Sequence, residues 1–293
     1  MKNKSLIIGL IIILVIICAG LTVLFTNLLS GKFKFSNFKF NNESAELVLD
    51  EVYELDFSKI NVNTEAGNVY IKTNNENNVR VVIYGDKENT TVDTTNGLSI
   101  DAKTKQCVGF CFNRKIYKLE IYLPENYDKE ITINNNYGNI EIDKFINANM
   151  NIYEDCGNIE IMGANNVKVE NDYGNIEIKE VNDADVKASA GNVEIGTVSN
   201  LKVQNDYGNV EVDKVLNYVN IEEDCGDVEI KDLNITIDSK ITNDLGNIKI
   251  NKTNEVYINA STDLGKVEVN DNYKDSLVTL TIENDCGDVK VNN

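Results

Sequence analysis

The 293-residue sequence has no histidine, no tryptophan and a single proline, Pro124. Without histidine it lacks the commonest general acid/base and the commonest metal-binding imidazole. Basic residues are also scarce, with 28 Lys and Arg against 47 Asp and Glu for a net charge of −19. Nucleic acid is therefore not an expected partner, since its binding rests on cationic side chains neutralising phosphates. What is abundant is Asn, Ile and Val. With so little proline, that mix suits long regular β-structure rather than a Pro-rich linker.

One long apolar run stands at the start. Residues 6–25, LIIGLIIILVIICAGLTVLF, contain no charge. At a helical rise of about 1.5 Å per residue they would cross a bilayer core of about 30 Å. A cleaved signal peptide has a shorter apolar region followed by a small-x-small site, which is absent here. The division expected is a basic tail at 1–4, a transmembrane helix at 5–29 and a juxtamembrane linker at 30–51. Lys2 and Lys4 before the helix are nearly balanced by Lys32, Lys34 and Lys39 after it. The short basic head places the N-terminus in the cytoplasm and the C-terminal domain outside, so the lipid bilayer is the first expected partner. Segment 32–40, KFKFSNFKF, reads either as an interfacial patch or as an ordinary edge strand or tether.

The rest of the chain repeats itself. NYGNIEI at 136–142 returns as DCGNIEI at 155–161, DYGNIEI at 172–178, SAGNVEI at 189–195 and DYGNVEV at 206–212. DCGDVEI at 224–230, DLGNIKI at 244–250, DLGKVEV at 263–269 and DCGDVKV at 285–291 follow, and the glycines lie 17–22 residues apart. Such a period marks stacked repeats. Two alternating runs flank each glycine, as in Val167-Lys168-Val169 and Ile176-Glu177-Ile178. Alternation means strands with one face buried, and the glycine between them suits a sharp corner. The links are too short for a crossover helix. A meander of hairpins would not need matching columns, whereas a solenoid does. The fold class expected is all-β: a single-stacked parallel β-solenoid of 17–22 residues per coil, preceded by one transmembrane helix. An irregular β-region is expected over 52–136 and the regular array over 137–293, with Asn96-Gly97 as a turn and strands near Leu98–Ala102 and Lys115–Leu123.

Six cysteines invite a disulfide framework, but stacking in chain order puts Cys156 and Cys225 four coils apart and Cys225 and Cys286 three. At about 4.8 Å per coil these gaps exceed the reach of about 7 Å between disulfide-linked Cα atoms. All three are expected to be free thiols, acting as small apolar fillers in a stacked column. Cys107 and Cys111, in CVGFC, are the one pair placed to close a loop in an oxidising location.

Two acidic columns follow from the repeat. Glu141, Glu160, Glu177, Glu194, Glu211 and Glu229 form one; Asp155, Asp172, Asp206, Asp224, Asp244, Asp263 and Asp285 form the other. They read as solvated faces screened by Lys168, Lys179, Lys202 and Lys231. No cofactor is expected; the cation such columns would suit is Ca²⁺, though evenly spaced single carboxylates do not make a six-oxygen cage. A further column holds Asn135, Asn171, Asn205, Asn243 and Asn284, with Glu154 and Glu223 in the same slot. Stacked amides are expected to hydrogen-bond along it. The acid-plus-thiol pairs Glu154–Cys156 and Glu223–Cys225 lack a histidine to activate the sulfur. The expected site residues are therefore none, whether catalytic, cofactor-binding or metal, and the protein is expected not to be an enzyme. A polysaccharide-cleaving β-helix would need a cleft that these short turns leave little material to build.

The order ELDFSKINVNTEAGNVYI at 54–71, VRVVIYG at 79–85, YKLEIYLPENYDKEITINNNYGNIEI at 117–142 and then the G-[ND]-[IV]-x-[IV] repeats resembles the bacterial putative-adhesin β-strand-repeat family, which includes LiaG-like membrane-anchored envelope proteins. The resemblance covers residues 52–293 and implies a solenoid ectodomain, no established enzyme activity and no functional residues to carry over. The expected function is a membrane-anchored cell-envelope binding or adhesion module for a surface protein or polysaccharide. The alternative is an accessory of an envelope-stress system, acting through a membrane partner of residues 1–40.

Overall fold

The structure, a computed structural model, describes residues 45–54, 57–103 and 117–292. The expected membrane helix at 5–29, segment 32–40 and CVGFC at 107–111 lie outside the described residues. Among the described residues no helix is long and apolar enough to cross a membrane. Their regular structure is β throughout, apart from one short 3₁₀ turn at Lys87–Asn89.

The repeat unit is one coil of a parallel β-solenoid. Strand Ile159–Tyr173 pairs in parallel with Ile176–Ala190, matching Ile159 to Ile176, Val169 to Val186 and Tyr173 to Ala190. The same step leads on to Val193–Tyr207 and Val210–Cys225. The buried alternation of Ile159–Tyr173 resets midway, where Gly163 and Ala164 are both buried. Along Ile159–Tyr173 the inward residues Ile159, Ile161, Ala164, Val167 and Val169 are buried, while Glu160 is exposed. Equivalent Ile, Val and Leu side chains stack from coil to coil into one continuous apolar core. A sequence that repeats its columns can thus bury a full row of aliphatic side chains with each coil added.

Chain order and spatial order part company at both ends. Lys59–Thr64 pairs with Leu98–Ala102 on one side and Glu130–Tyr137 on the other. Gly67–Asn74 likewise lies between Tyr117–Pro124 and the start of Ile140–Cys156. The first coil in sequence is therefore an inner coil, and the chain goes outward before returning. At the other end Thr279–Cys286 lies between Ser239–Leu245 and Tyr257–Leu264. Val289–Val291 is inserted in the same way between Ile248–Ile250 and Val267–Val269. The C-terminal strands thus have both edges paired, and the open edge is formed by an earlier segment.

This overturns the in-order stacking expected from the sequence. Cys225 pairs with Leu245, and Leu245 with Cys286. Cys225 and Cys286 are two coils apart rather than three, about 10 Å at the spacing of paired strands. That is still too far for a disulfide, and Cys156, Cys225 and Cys286 are free.

The N-terminal end also departs from a purely parallel array. Asn78–Gly85 runs antiparallel to both Tyr117–Pro124 and Glu46–Glu54. Thr90–Asp93 returns antiparallel on Leu98–Ala102, through a turn at Gly97 with φ of +105°. Glu46–Glu54 starts ahead of residue 52, where the sequence reading begins the β-region.

Candidate functional site

The segment Asn171-Asp172-Tyr173-Gly174-Asn175 shows how each corner is built. Gly174 has φ of +140°, a backbone conformation that glycine adopts without steric cost. A Cβ there would stand 2.0 Å from the Gly157 carbonyl oxygen one coil away. Inside the corner, Asn171 Nδ2 donates to the carbonyls of Gly157 at 3.0 Å and Gly174 at 3.2 Å. Asn135, Asn243 and Asn284 donate to Gly67, Gly226 and Gly246 in the same way. These buried amides satisfy carbonyls that the turn would otherwise leave unpaired. The amide column expected to bond along itself is thus chiefly a set of corner braces.

Outside the corner, a second ladder holds the coils in register. The backbone N–H of Asn175 donates to Asn158 Oδ1 at 2.9 Å, that of Asn192 to Asn175 and that of Asn209 to Asn192, both at 3.0 Å. The ladder runs on through Asp227, Asn247 and Asp288. It accounts for the Asn or Asp that follows the glycine in the repeat.

Glu154 and Glu223 replace the bracing Asn in two coils. They are 3% and 2% exposed. Glu154 accepts from Asn135 Nδ2 at 2.7 Å and from the Cys156 backbone N–H at 3.2 Å; Glu223 accepts from Asn205 Nδ2 at 2.9 Å. Burial pushes both carboxyls up to about 7, more than these hydrogen bonds pull them down. The sulfurs of Cys156 and Cys225 lie on the adjoining corner, which is partly open to solvent.

That corner is the most distinctive surface among the described residues. In spatial order its column reads Tyr137, Cys156, Tyr173, Ala190, Tyr207, Cys225, Leu245, Cys286, Leu264. The expectation of apolar fillers fails here, because the column points outward. Tyr137, Tyr173 and Tyr207 are 55%, 63% and 64% exposed, and Leu245 and Leu264 are 55% and 71% exposed. Large and small side chains alternate without a break. In chain order Leu245, Leu264 and Cys286 would spoil that pattern; insertion of the last coil between its two predecessors restores it.

The ridge has polar flanks. Asp155, Asp172, Asp206, Asp224, Asp244, Asp263 and Asp285, each one residue before the ridge position, are all exposed. On its other side stand the exposed residues of the Asn ladder. The separate Glu column is outward as expected, with Glu177 paired to Lys179, and Glu229 to Lys249 at 2.8 Å. Among the described residues no group of three or more His, Cys, Asp or Glu side chains is placed to hold a metal ion. The ridge is not among the sites expected from the sequence, although its column aligns there. The signal was the parity reset at each glycine, which turns the preceding side chain outward.

Comparison with known proteins found no match among curated proteins. Solved structures that match include a putative adhesin from Bacteroides fragilis, at 19% identity over 85% of this chain and 98% of that one, with a TM-score of 0.44. A putative lipid binding protein from Parabacteroides distasonis matches at 15% identity over 83% and 97%, TM-score 0.45. A putative cell adhesion protein from Clostridium sporogenes matches at 13% identity over 83% and 98%, TM-score 0.24. The family model described as Toastrack DUF4097 matches residues 57–293. With that match spanning the coils from before the first corner to the last, the chain belongs to the Toastrack DUF4097 family.

Proposed function

We propose that the protein is a non-catalytic binding module of the cell envelope, held by a transmembrane helix at 5–29 with its solenoid on the extracytoplasmic side. The observation that carries this reading is the outward ridge from Tyr137 to Leu264. Burying one such side chain is worth about 1.5–3 kcal/mol, so five exposed in a row form a surface suited to contact. Backbone ladders fix the ridge before any ligand arrives, which reduces the ordering cost of binding. Extended repeat surfaces serve such roles through length rather than a cleft. Chemistry at Glu154–Cys156 is disfavoured, because the buried carboxyl is engaged by Asn135 and no imidazole exists in the chain.

Protease shaving of whole cells tests the placement. The solenoid is expected to be cleaved or released from intact cells. Survival in intact cells with loss after lysis would overturn the reading.

A further inference from the structure

We infer that the ridge binds a neutral, extended β-1,4-linked polysaccharide, with Tyr137, Tyr173 and Tyr207 stacking on every second sugar. This deepens the proposed function and rests on it. The three tyrosines occupy alternate coils, with Cys156 and then Ala190 between them. Two coils measure about 9.6 Å. An extended β-1,4-linked glycan repeats its disaccharide over nearly the same length and presents the C–H face of a given sugar once per repeat. Three rings at that interval would span two disaccharide repeats and contact the first, third and fifth sugars, and the small residues between them leave room for the intervening sugars. Exposed tyrosine suits such a ligand, since its ring is apolar and its hydroxyl stays in water.

The flanks select among occupants. Asp172 and Asp206 beside the rings would accept hydrogen bonds from sugar hydroxyls. The same carboxylates repel an anionic polymer. They also disfavour pairing with a second copy of the ridge, which would bring an identical row of charges face to face. A protein partner with an apolar strip would need no two-coil interval, whereas a repeating glycan does. The corner is held by glycine contacts and the Asn ladder, so the spacing is a fixed property of the fold.

The test uses the full chain in detergent, titrated with soluble β-1,4-linked N-acetylglucosamine hexamer, with an α-1,4-linked glucan and polygalacturonate as comparisons. Binding to the first alone is expected. Tyr173→Ala with Tyr207→Ala should weaken it about tenfold, while Tyr173→Phe should preserve it. The discriminating variant is Tyr173→Ala with Ala190→Tyr, which keeps three tyrosines but breaks their interval. The inference requires this variant to lose affinity as the double alanine does, with thermal unfolding unchanged in both. Undiminished binding by it, equal binding of the α-linked glucan or polygalacturonate, or no binding of any glycan would overturn the inference. Shaving of intact cells reports separately on the underlying reading: release from the surface without glycan binding sinks only the ligand assignment.

Discussion

At the residue scale, the polar side chains of each corner divide the labour by direction. Asn171 faces inward and braces two carbonyls, Asp172 faces solvent, Tyr173 stands on the ridge and Asn175 joins the outer ladder. Asn171→Ala should cost about 1–3 kcal/mol, the penalty for leaving buried polar groups unpaired, measured by chemical denaturation. Ala188 already occupies this column in one coil, so the loss should leave the fold intact. Glu154 and Glu223 make stability depend on pH. Their folded carboxyls titrate near about 7, above the ordinary carboxylate range. The stability they contribute is fully present below the unfolded value and is lost as pH rises through about 7. The urea midpoint should therefore fall between about pH 5 and about pH 8. Glu154→Asn with Glu223→Asn installs the bracing amide and should flatten that profile relative to the parent. An unchanged slope would show that other groups set it.

At the scale of the element, the glycine corner is the rigid joint. Gly174→Ala forces a Cβ to within 2.0 Å of a neighbouring backbone oxygen at a φ of +140°. We expect a loss of more than about 3 kcal/mol, or failure to fold, by the same denaturation measurement. The coils and their columns were legible in the sequence, because stacking in register demands that Ile159, Ile176 and Val193 recur at the same place. The order of the end coils was not. DLGNIKI, DLGKVEV and DCGDVKV carry equivalent columns, so nothing local says which lies beside which. For that reason the ridge was only partly visible: its tyrosines could be aligned, but its alternation emerges only once Cys286 stands between Leu245 and Leu264. The inserted coil has its own consequence. Deleting residues 279–293 removes the strand between Ser239–Leu245 and Tyr257–Leu264, leaving Ser239–Leu245 paired on its other edge with Val210–Cys225. It should expose the amides of Tyr257–Leu264 to fast hydrogen exchange while those of Val193–Tyr207 stay protected.

At the scale of the whole molecule, the sequence carries a net charge of −19, and the solenoid of the described residues has an uncharged line along a corner. The charge favours solubility and disfavours self-association, while the corner offers a contact surface along its length. The thiols of that line provide a native probe, since Cys156 and Cys225 are partly exposed and Cys286 is exposed. The central claim is that this ridge faces outward from the cell and meets a ligand there. The most direct test is labelling of intact cells with a membrane-impermeant maleimide, with the sites mapped by mass spectrometry. The account predicts modification of Cys156, Cys225 and Cys286 before lysis, slowed at Cys156 by the β-1,4-linked hexamer. Modification of these three only after lysis would contradict it.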